Sequence, residues 1–381
     1  MRIAINAMFW QQANVGSGQY LRGLLAGLAR NAPTHEYILL LPAATEPATE
    51  YGAPLRFVRV PTPFDKRNAN LAKLWFEQVG VPRAAARLQA DLLHVPYFAP
   101  PLVSAIPVVA TVLDLIPLLL PEYRGGAAVR AYTRLAARAA QRAREVIAIS
   151  HDSRNDILAH LGCAPAHVTA IPLAAGAQYC PRNRAEAAAE VATRYGLRGP
   201  FVYYVGGLDA RKNVPMLLHA WAGLRRAGGP AATLALAGRA LGSNPTLFPN
   251  LDALIRELGI GDSVMRIDVP HADNPVLYNA ATAFAFPSRY EGFGLPPLEA
   301  LACGTPAVVS SASSLPEVVG DAALLAAPDD IPAWTAALWR LLADAELRAT
   351  LRERGLARAA QFSYTQVAND TLAVYERARG R

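Results

Sequence analysis

Two glutamates in one short stretch are the residues of this chain that most clearly predict chemistry. The stretch SRYEGFGLPPLEALACGTP, residues 288–306, places Glu291 and Glu299 eight positions apart. Carboxylates repel phosphate but accept pairs of hydrogen bonds from neighbouring hydroxyl groups, so the pair favours the diol of a sugar ring or a ribose. Gly292 and Gly294 let the backbone approach such a ligand closely. The alternatives are a solvated loop charge for Glu291 and a carboxylate that stabilises a helix start for Glu299.

A second loop, VGGLDARKNVPML, carries the opposite charge. Gly206 and Gly207 follow an apolar run, and Arg211 and Lys212 precede a helix-like one. Adjacent guanidinium and ammonium groups beside a helix N-terminus suit a diphosphate, which accepts several charge-assisted hydrogen bonds. Lysine occurs only three times among the 37 basic residues, so its use here is a specific choice. The alternative is an exposed basic pair on a solvated turn.

A third loop, ANVGSGQYLRG, contains Gly16, Ser17 and Gly18 and opens a helix-like run. A dinucleotide-binding turn does not fit, because the third glycine position is Leu21, the loop is too long, and no acidic residue follows at the required distance. The open N–H groups of a helix start can still bind an anion. The alternative is a simple turn.

Together these loops describe a nucleotide-sugar pocket, and their sequences resemble a known family. Glu291 and Glu299 match the E-x7-E motif of retaining GT-B glycosyltransferases of family GT4. The match extends through PSRYEGFGLPPLEALACGTPAVVSS and SSLPEVVGDAALL, and the GGLDARKN and GSGQYLRGLLAGLA loops resemble the family's phosphate-binding and first glycine-rich loops. The resemblance covers the chain from residue 1 to about residue 375.

The resemblance implies a role for each matched residue. Glu291 would contact hydroxyls of the donor sugar, and Glu299 would bind the ribose. Arg211 and Lys212 would hold the diphosphate and stabilise its charge as it leaves, and both are predicted to be catalytic together with Glu291. The predicted donor-binding residues are Gly16, Ser17, Gly18, Gly206, Gly207, Val269, Pro270, Gly292, Phe293, Gly294, Leu295 and Glu299.

Family members keep the anomeric configuration and generally need no metal, and the sequence contains no Asp-x-Asp motif. The resemblance therefore implies a front-face mechanism in which the leaving phosphate helps to deprotonate the acceptor, with no cofactor and no metal ligands. Glu291 is not expected to act as a nucleophile.

The segment ATVLDLIPL departs from the family, because many relatives carry a histidine where this chain has Leu113. The next residue, Asp114, remains a catalytic candidate for acceptor contact, with a buried structural aspartate as the alternative. His94 and His151 also follow or precede strand-like runs, and both are interpreted as structural.

The elements that position these loops form two α/β units. Apolar runs such as RIAINA, EYILLLP and PVVATVLD alternate with helix-like segments, and a second series of the same alternation begins near residue 200. Such runs predict parallel sheets buried on both faces. The expected fold is GT-B, with two Rossmann-like doubly wound domains facing each other across a cleft at the carboxyl ends of their strands. The expected domains are 1–175 and 176–363, with a terminal helix at about 364–381 that packs back onto the first.

Composition limits the class of protein. Of the residues, 52% are hydrophobic and 18% charged, which is typical of a globular protein. No long apolar run or leader is evident, and three cysteines without metal spacing favour a reducing, cytoplasmic compartment. The net charge of +7 indicates an anionic partner. Nucleic acid is not expected, because aromatic and basic residues do not interleave.

The segment AVRAYTRLAARAAQRAREV repeats arginine at steps of four. On a helix, Arg130, Arg134, Arg138 and Arg142 form one stripe that could contact an anionic membrane surface. The residues available to the opposite face include Val129, Tyr132, Leu135 and Ala136. The alternative is a solvated helix face. NANLAKLWFEQVGVP carries Lys73, Trp75 and Phe76, which either line an acceptor site or pack.

The sequence therefore predicts a hexosyltransferase, cytoplasmic or peripheral on the inner face of the plasma membrane. It would transfer a hexose to a glycan, lipid-linked or other glycoconjugate acceptor. Mannose from GDP-mannose is the first choice for the donor, and a UDP-sugar is the second. The alternatives are a GT-B sugar-nucleotide epimerase and a catalytically degenerate GT-B scaffold.

Overall fold

The computed structural model describes residues 1–12, 15–46, 55–240, 242 and 244–380. The chain divides into two compact units, the first formed by Met1–Leu173 with Ser363–Arg381 and the second by Ala174–Phe362. The boundaries thus fall after residue 173, where 175 was expected, and after 362, where 363 was expected.

The strands come from the apolar runs of the sequence. They are β1 (Arg2–Asn6), β2 (Glu36–Pro42), β3 (Leu55–Val60), β4 (Leu92–Val95), β5 (Val108–Val112), β6 (Glu145–Ala148), β7 (Val168–Ala170), β8 (Phe201–Val205), β9 (Thr233–Ala237), β10 (Val264–Ile267), β11 (Ala283–Phe286), β12 (Ala307–Ser310) and β13 (Leu324–Ala326).

The helices connect these strands. They are α1 (Gly16–Asn31), α2 (Ala69–Trp75), α3 (Val81–Arg87), α4 (Ile116–Leu119), α5 (Ala127–Arg142), α6 (His151–Leu161), α7 (Arg184–Tyr195), α8 (Val214–Arg226), α9 (Leu251–Glu257), α10 (Asn274–Ala280), α11 (Leu295–Ala302), α12 (Leu315–Val319), α13 (Ile331–Ala343), α14 (Ala345–Ala359) and α15 (Tyr364–Gly380). A π-helical turn, Phe76–Gly80, joins α2 to α3.

Each unit is built on one parallel sheet. The first sheet has the order β3-β2-β1-β4-β5-β6-β7 and the second has the order β10-β9-β8-β11-β12-β13. Every residue of β4, β5, β6, β11 and β12 is buried, as expected where helices cover both faces of a sheet. The predicted pair of parallel α/β sheets is confirmed. None of the helices in the described ranges combines the length and hydrophobicity that a membrane crossing requires.

A buried polar network ties the terminal helix α15 to the first sheet. His94, on β4, makes hydrogen bonds through Nδ1 to the Tyr375 hydroxyl (2.7 Å) and through Nε2 to Thr111 Oγ1 (2.9 Å). Burial lowers the pKa of His94 to about 3, so the imidazole is neutral at physiological pH. This histidine therefore has the structural role that the sequence indicates.

Close packing of α1 against α15 depends on glycine. A Cβ added to Gly27 would lie 2.3 Å from the Tyr364 carbonyl oxygen and 2.9 Å from Ala368 Cβ. At the start of the same helix, a Cβ added to Gly16 would meet no atom within 4 Å. The backbones of α1 and α15 can approach this closely only if residue 27 has no side chain.

We predict that Gly27→Ala destabilises the protein, whereas Gly16→Ala does not. Overpacking at Gly27 should lower the free energy of unfolding by about 1–3 kcal/mol. The matched substitution Gly16→Ala, made in the same helix, should change it by about 0.5 kcal/mol or less. Urea denaturation followed by circular dichroism measures both values, and equal effects would contradict this account of the α1–α15 contact.

Candidate functional site

Two neighbouring strands of the second sheet bring the predicted loops together. β8 and β11 are paired in parallel, so their carboxyl ends lie side by side. The loop after β8 carries the single turn Ala210–Lys212, and the loop after β11 carries residues 287–294. A backbone hydrogen bond from Arg289 N to Arg211 O (2.8 Å) joins the two loops.

Arg211, Lys212 and Glu291 form one ionic triad. Lys212 Nζ lies 2.6 Å from Glu291 Oε1, and Arg211 Nη1 lies 2.9 Å from Glu291 Oε2. Their side chains are only 12% to 13% exposed. The structure therefore brings together the predicted phosphate-binding cations and the predicted sugar-binding carboxylate, although 79 positions separate Lys212 from Glu291 in the sequence.

The triad keeps its carboxylate ionised. Burial alone would raise the pKa of Glu291, but Lys212 and Arg211 outweigh burial and hold that pKa at about 2. Burial and the neighbouring Arg211 lower the pKa of Lys212, and Glu291 opposes this effect. The Lys212 ammonium also lies 5.0 Å from the centroid of the Phe286 ring. Glu291 is therefore a weak base whose charge helps to maintain the charge of the lysine.

Two serines that the sequence reasoning missed fix the backbone of the glutamate loop. Glu291 N donates to Ser313 Oγ at 2.8 Å. Ser314 Oγ lies 2.9 Å from the Glu291 carbonyl oxygen and 2.5 Å from the Phe293 carbonyl oxygen. Both serines lie in the SSLPEVVG block after β12, and their position in that block was the only sequence signal for them.

Glycines shape the backbone around the triad. Gly294 has φ of +125° and precedes the first residue of α11, where no side chain caps the helix. Pro296 and Pro297 have no N–H, and Leu298 N donates to Gly294 O at 3.2 Å, so the N–H of Leu295 is the amide of that first turn that a ligand can contact. A Cβ on Gly238, which the sequence reasoning missed, would lie 2.1 Å from the Gly206 carbonyl oxygen. Gly207 accepts a hydrogen bond at its carbonyl oxygen from the Tyr204 hydroxyl.

The second carboxylate, Glu299, lies in a different environment. It is 4% exposed on α11, and its Oε2 accepts a hydrogen bond of 3.1 Å from the Tyr278 hydroxyl. Burial raises the pKa of Glu299 to about 7, and hydrogen bonds from Tyr278 and Tyr179 only partly oppose the rise. The prolines Pro296 and Pro297 occupy the first turn of α11, as predicted.

The predicted base-binding loop adjoins the same tyrosines. Val269 and Pro270 follow β10 and are half-buried and exposed, respectively. They precede His271, whose Nε2 lies 3.3 Å from the Tyr179 hydroxyl. Burial lowers the pKa of His271. Tyr179 thus connects this loop with Glu299, a link that the sequence did not indicate.

The other predicted residues belong to the first unit. Gly16, Ser17 and Gly18 form the first turn of α1, and a Cβ on Gly18 would lie 2.0 Å from the Gln12 carbonyl oxygen. Gly18 is therefore required by packing, whereas Gly16 has open space beside it. Two residues of this predicted loop, Ala13 and Asn14, lie outside the described residues.

Asp114 stabilises a local turn. It is partly exposed, and its Oδ1 accepts a hydrogen bond of 3.1 Å from Ile116 N at the start of α4. Leu113 packs against the hydrophobic core formed around β4. Asp114 thus has a demonstrated structural contact, and its predicted catalytic role stays a prediction.

The arginine stripe forms one exposed face of α5. The buried residues of this helix are Thr133, Ala136, Ala139 and Ala140. Arg130, Arg134, Arg138 and Arg142 are all exposed. Val129 lies four positions before Thr133 and seven before Ala136, so it shares their face, opposite the arginine stripe, as expected. It is 47% exposed because it lies in the first turn of the helix.

Comparisons with known protein families match both units. Residues 193–358 match the family described as glycosyl transferases group 1. Residues 15–175 match glycosyltransferase family 4. The two matches together include every predicted site residue.

Curated relatives are similar over much of the chain. The O-antigen chain mannosyltransferase B of Escherichia coli is 34% identical over 274 residues, which cover 70% of this chain and 70% of that protein. The MMP alpha-(1->4)-mannosyltransferase of Mycolicibacterium hassiacum is 34% identical over 250 residues, covering 64% of this chain and 56% of that protein.

Solved structures show the same fold at low sequence identity. Sucrose-phosphate synthase from Thermosynechococcus elongatus has a TM-score of 0.77 at 22% identity, with 99% of this chain and 98% of that chain covered. Anabaena HepE in complex with UDP and glucose has a TM-score of 0.74 at 19% identity, with 98% of each chain covered. These likenesses, with the two parallel sheets, confirm the predicted GT-B fold class.

The raised pKa of Glu299 predicts how stability depends on pH. Between the ordinary value of 4.5 and the folded value of about 7, the folded protein holds a proton that the unfolded chain releases. The contribution of the Glu299 carboxyl to the free energy of unfolding is therefore fully present below pH 4.5, and it is lost as the pH rises through about 7. Glu299→Gln should remove this loss and stabilise the protein at pH 8 by on the order of 2 kcal/mol relative to wild type.

Urea denaturation at pH 4.5 and pH 8 measures this effect for wild type and Glu299→Gln. Glu353→Gln, which changes an exposed glutamate of α14, is the matched control and should leave the pH dependence unchanged. A Glu299→Gln protein that loses the same stability as wild type over this pH range would contradict the assignment.

Proposed function

Because the chain belongs to the group 1, family 4 glycosyltransferases, we propose that it transfers mannose from GDP-mannose to a glycan or lipid-linked acceptor. The proposed reaction retains the anomeric configuration and requires no metal ion. That the protein is a glycosyltransferase follows from its family, whereas the donor, the stereochemistry and the metal independence are parts of the proposal.

The ionic triad is the observation that supports the proposal most directly. Arg211 and Lys212 present two cations in the loop after β8, beside the carboxyl end of the adjacent strand β11, where ligands of doubly wound sheets bind. A donor diphosphate can accept hydrogen bonds from both cations, and it gains negative charge as the glycosidic bond breaks. Cations that are already fixed in position stabilise that developing charge without reorganising.

Donor binding must change the contacts of the triad. In the structure both oxygens of Glu291 contact cations, so a bound diphosphate would compete with the carboxylate for Arg211 and Lys212. The displaced carboxylate would then be able to accept hydrogen bonds from donor sugar hydroxyls. Glu291 would thus keep Arg211 and Lys212 in position before the donor binds, and it would orient the donor sugar after binding.

The contacts of Glu291 favour a front-face reaction. Before the donor binds, two cations hold the pKa of this carboxylate at about 2, which makes it a poor general base. In the donor complex its oxygens would accept hydrogen bonds from sugar hydroxyls, so Glu291 would not be free to act as a nucleophile. The leaving phosphate is a stronger base and would lie beside the attacking hydroxyl. It would accept the acceptor proton as the new bond forms on the face that the phosphate leaves, which retains the configuration.

Fixed side chains would take the role of a metal ion. In many sugar-nucleotide reactions a divalent cation neutralises the leaving diphosphate. Arg211 and Lys212 supply two positive charges for that purpose, and each donates directional hydrogen bonds. Chelation of free metal should therefore leave turnover unchanged.

Relatives guide the choice of donor. Both curated relatives described above are named mannosyltransferases, which supports mannose. A similar structure holds UDP and glucose, which keeps a UDP-sugar as the second choice. The alternatives of an epimerase and a degenerate scaffold are not favoured, because the triad is intact and the relatives are transferases.

A panel of nucleotide sugars tests the proposal directly. Thermal stabilisation and slow donor hydrolysis should single out GDP-mannose, with equal rates in the presence and absence of EDTA. A response to a UDP-sugar alone would replace the proposed donor, and activity that EDTA abolishes would overturn the metal-independent mechanism.

We predict that substitutions of Lys212 and Glu299 have different kinetic effects. Lys212→Ala should lower kcat by about 10²–10³-fold, because it removes charge stabilisation of the leaving phosphate. Glu299→Ala should chiefly raise the KM for the donor. Lys66→Ala, which removes an exposed lysine of the first unit, is the matched control and should retain wild-type kinetics. Normal turnover of Lys212→Ala would contradict the assigned pocket.

We also propose that the exposed arginine stripe of α5 contacts anionic lipid headgroups. Each basic side chain near such a surface contributes about 1 kcal/mol. Replacing Arg134 and Arg138 by glutamate should therefore abolish sedimentation with phosphatidylglycerol vesicles. The matched control replaces two exposed arginines of other helices, Arg340 and Arg354, by glutamate. Equal losses in both double variants would show that only net charge matters.

A further inference from the structure

Three arginines surround a pocket of about 250 Å³ in the second unit. Arg184 begins α7, whereas Arg348 and Arg352 lie one turn apart on α14. The small side chains of Ala345 and Ala349 also line the pocket and leave space between the guanidinium groups. No step proposed for the triad uses this pocket.

The pocket lies at the amino ends of the strands, whereas the ionic triad lies at their carboxyl ends. Its floor includes Thr305 and Pro306, which lead into the amino end of β12, and Ala281, which precedes the amino end of β11. The triad lies at the carboxyl end of β11. The four residues of β11 extend over about 13 Å, and this length separates the pocket from the triad. One ligand phosphate therefore cannot occupy both places.

Backbone carbonyl groups fix the three guanidinium groups. Arg348 Nη1 donates to the carbonyl oxygens of Leu341 (2.9 Å) and Leu342 (3.0 Å). Arg352 Nη1 donates to Gly304 O at 2.9 Å, and Arg184 Nη2 donates to Ala281 O at 3.4 Å. These bonds use only part of the five donors of each arginine. The remaining donors are available to a ligand in a fixed geometry.

The charges of this cluster are uncompensated. Within the described ranges, none of the three arginines has a carboxylate oxygen within 4.0 Å, whereas Arg354 on the same helix pairs with Asp321 at 3.2 Å. Burial lowers the pKa of Arg184, and the neighbouring Arg348 and Arg352 lower it further. Mutual repulsion of this kind would be relieved by a bound anion.

We propose that these three arginines form a second anion site, which binds a phosphate group of a small phosphorylated ligand. Planar guanidinium groups bind phosphate oxygens in pairs, and three of them can surround one phosphate. The pocket is smaller than the roughly 300–1,000 Å³ typical of sites for drug-sized ligands. It therefore suits a phosphate or a phosphorylated headgroup, and not a whole nucleotide sugar.

Two sources could supply this phosphate, a soluble phosphate ester and a phospholipid headgroup. Protection of single arginines from phenylglyoxal, read by peptide mass spectrometry, separates the two sources on the unmodified protein. The probes are inorganic phosphate, phosphatidylglycerol vesicles and phosphatidylcholine vesicles. Arg354 is the internal reference, because it lies on the same helix but outside the pocket.

With either source of phosphate, we expect the probe to slow the modification of Arg348 and Arg352 by phenylglyoxal at least threefold. The modification of Arg354 should be unaffected. Protection by inorganic phosphate indicates a soluble ligand, and protection by phosphatidylglycerol vesicles alone indicates a headgroup. No protection by either probe, or equal protection of Arg354, would overturn the proposal. This readout is independent of the donor site, because each arginine is followed separately.

Variants provide a second test by calorimetric titration with the probe that protects. Replacing both Arg348 and Arg352 by alanine should weaken binding about tenfold or more, since two charge-assisted contacts are lost. Arg354→Ala should bind as wild type does. If the double variant is unstable, Arg352→Ala alone should still weaken binding, and unchanged affinity in a folded variant would refute the site.

Discussion

Two largely buried cations share one carboxylate at the carboxyl ends of β8 and β11, and the proposed chemistry depends on this arrangement. Burying an ammonium or a guanidinium group is costly unless a carboxylate compensates it. Glu291 provides that compensation for both Lys212 and Arg211, and Asp209 lies 3.6 Å from Arg211 Nε. The cluster is therefore nearly neutral without a ligand, and a diphosphate must replace protein contacts rather than fill an unbalanced site.

The two glutamates of the opening motif show how environment separates identical side chains. Glu291 lies between cations and has a pKa of about 2, whereas Glu299 lies among tyrosines and has a pKa of about 7. One carboxylate is thus fixed in its charged form, and the other changes its charge near neutral pH. Pairs of acids whose environments separate their pKa values in this way take different roles. A structural charge at Glu291 and a titratable ligand contact at Glu299 fit this rule.

Much of the fold could be predicted from sequence, because the strands are continuous apolar runs bounded by loops. The element β7 was not predicted, since Val168–Ala170 is only three residues long and adjoins a segment that resembles a linker. The helices α7 and α14 were also not predicted, because alanine and arginine dominate both and give little periodicity. The GGLDARKN loop identified Arg211 and Lys212, and the E-x7-E motif identified Glu291. No local sequence pattern indicates that Glu291 contacts both cations. That contact depends on the pairing of β8 with β11.

The most direct test of the central claim uses the scarcity of lysine. Because the chain has only Lys66, Lys73 and Lys212, protein labelled with ¹⁵N at lysine Nζ gives three signals that can be assigned by mutation. Addition of GDP or UDP should shift the Lys212 signal and leave the signals of Lys66 and Lys73 in place, because only Lys212 exchanges its contact with Glu291 for one with phosphate. A Lys212 signal that is unchanged at saturating nucleotide would contradict the role assigned to the triad.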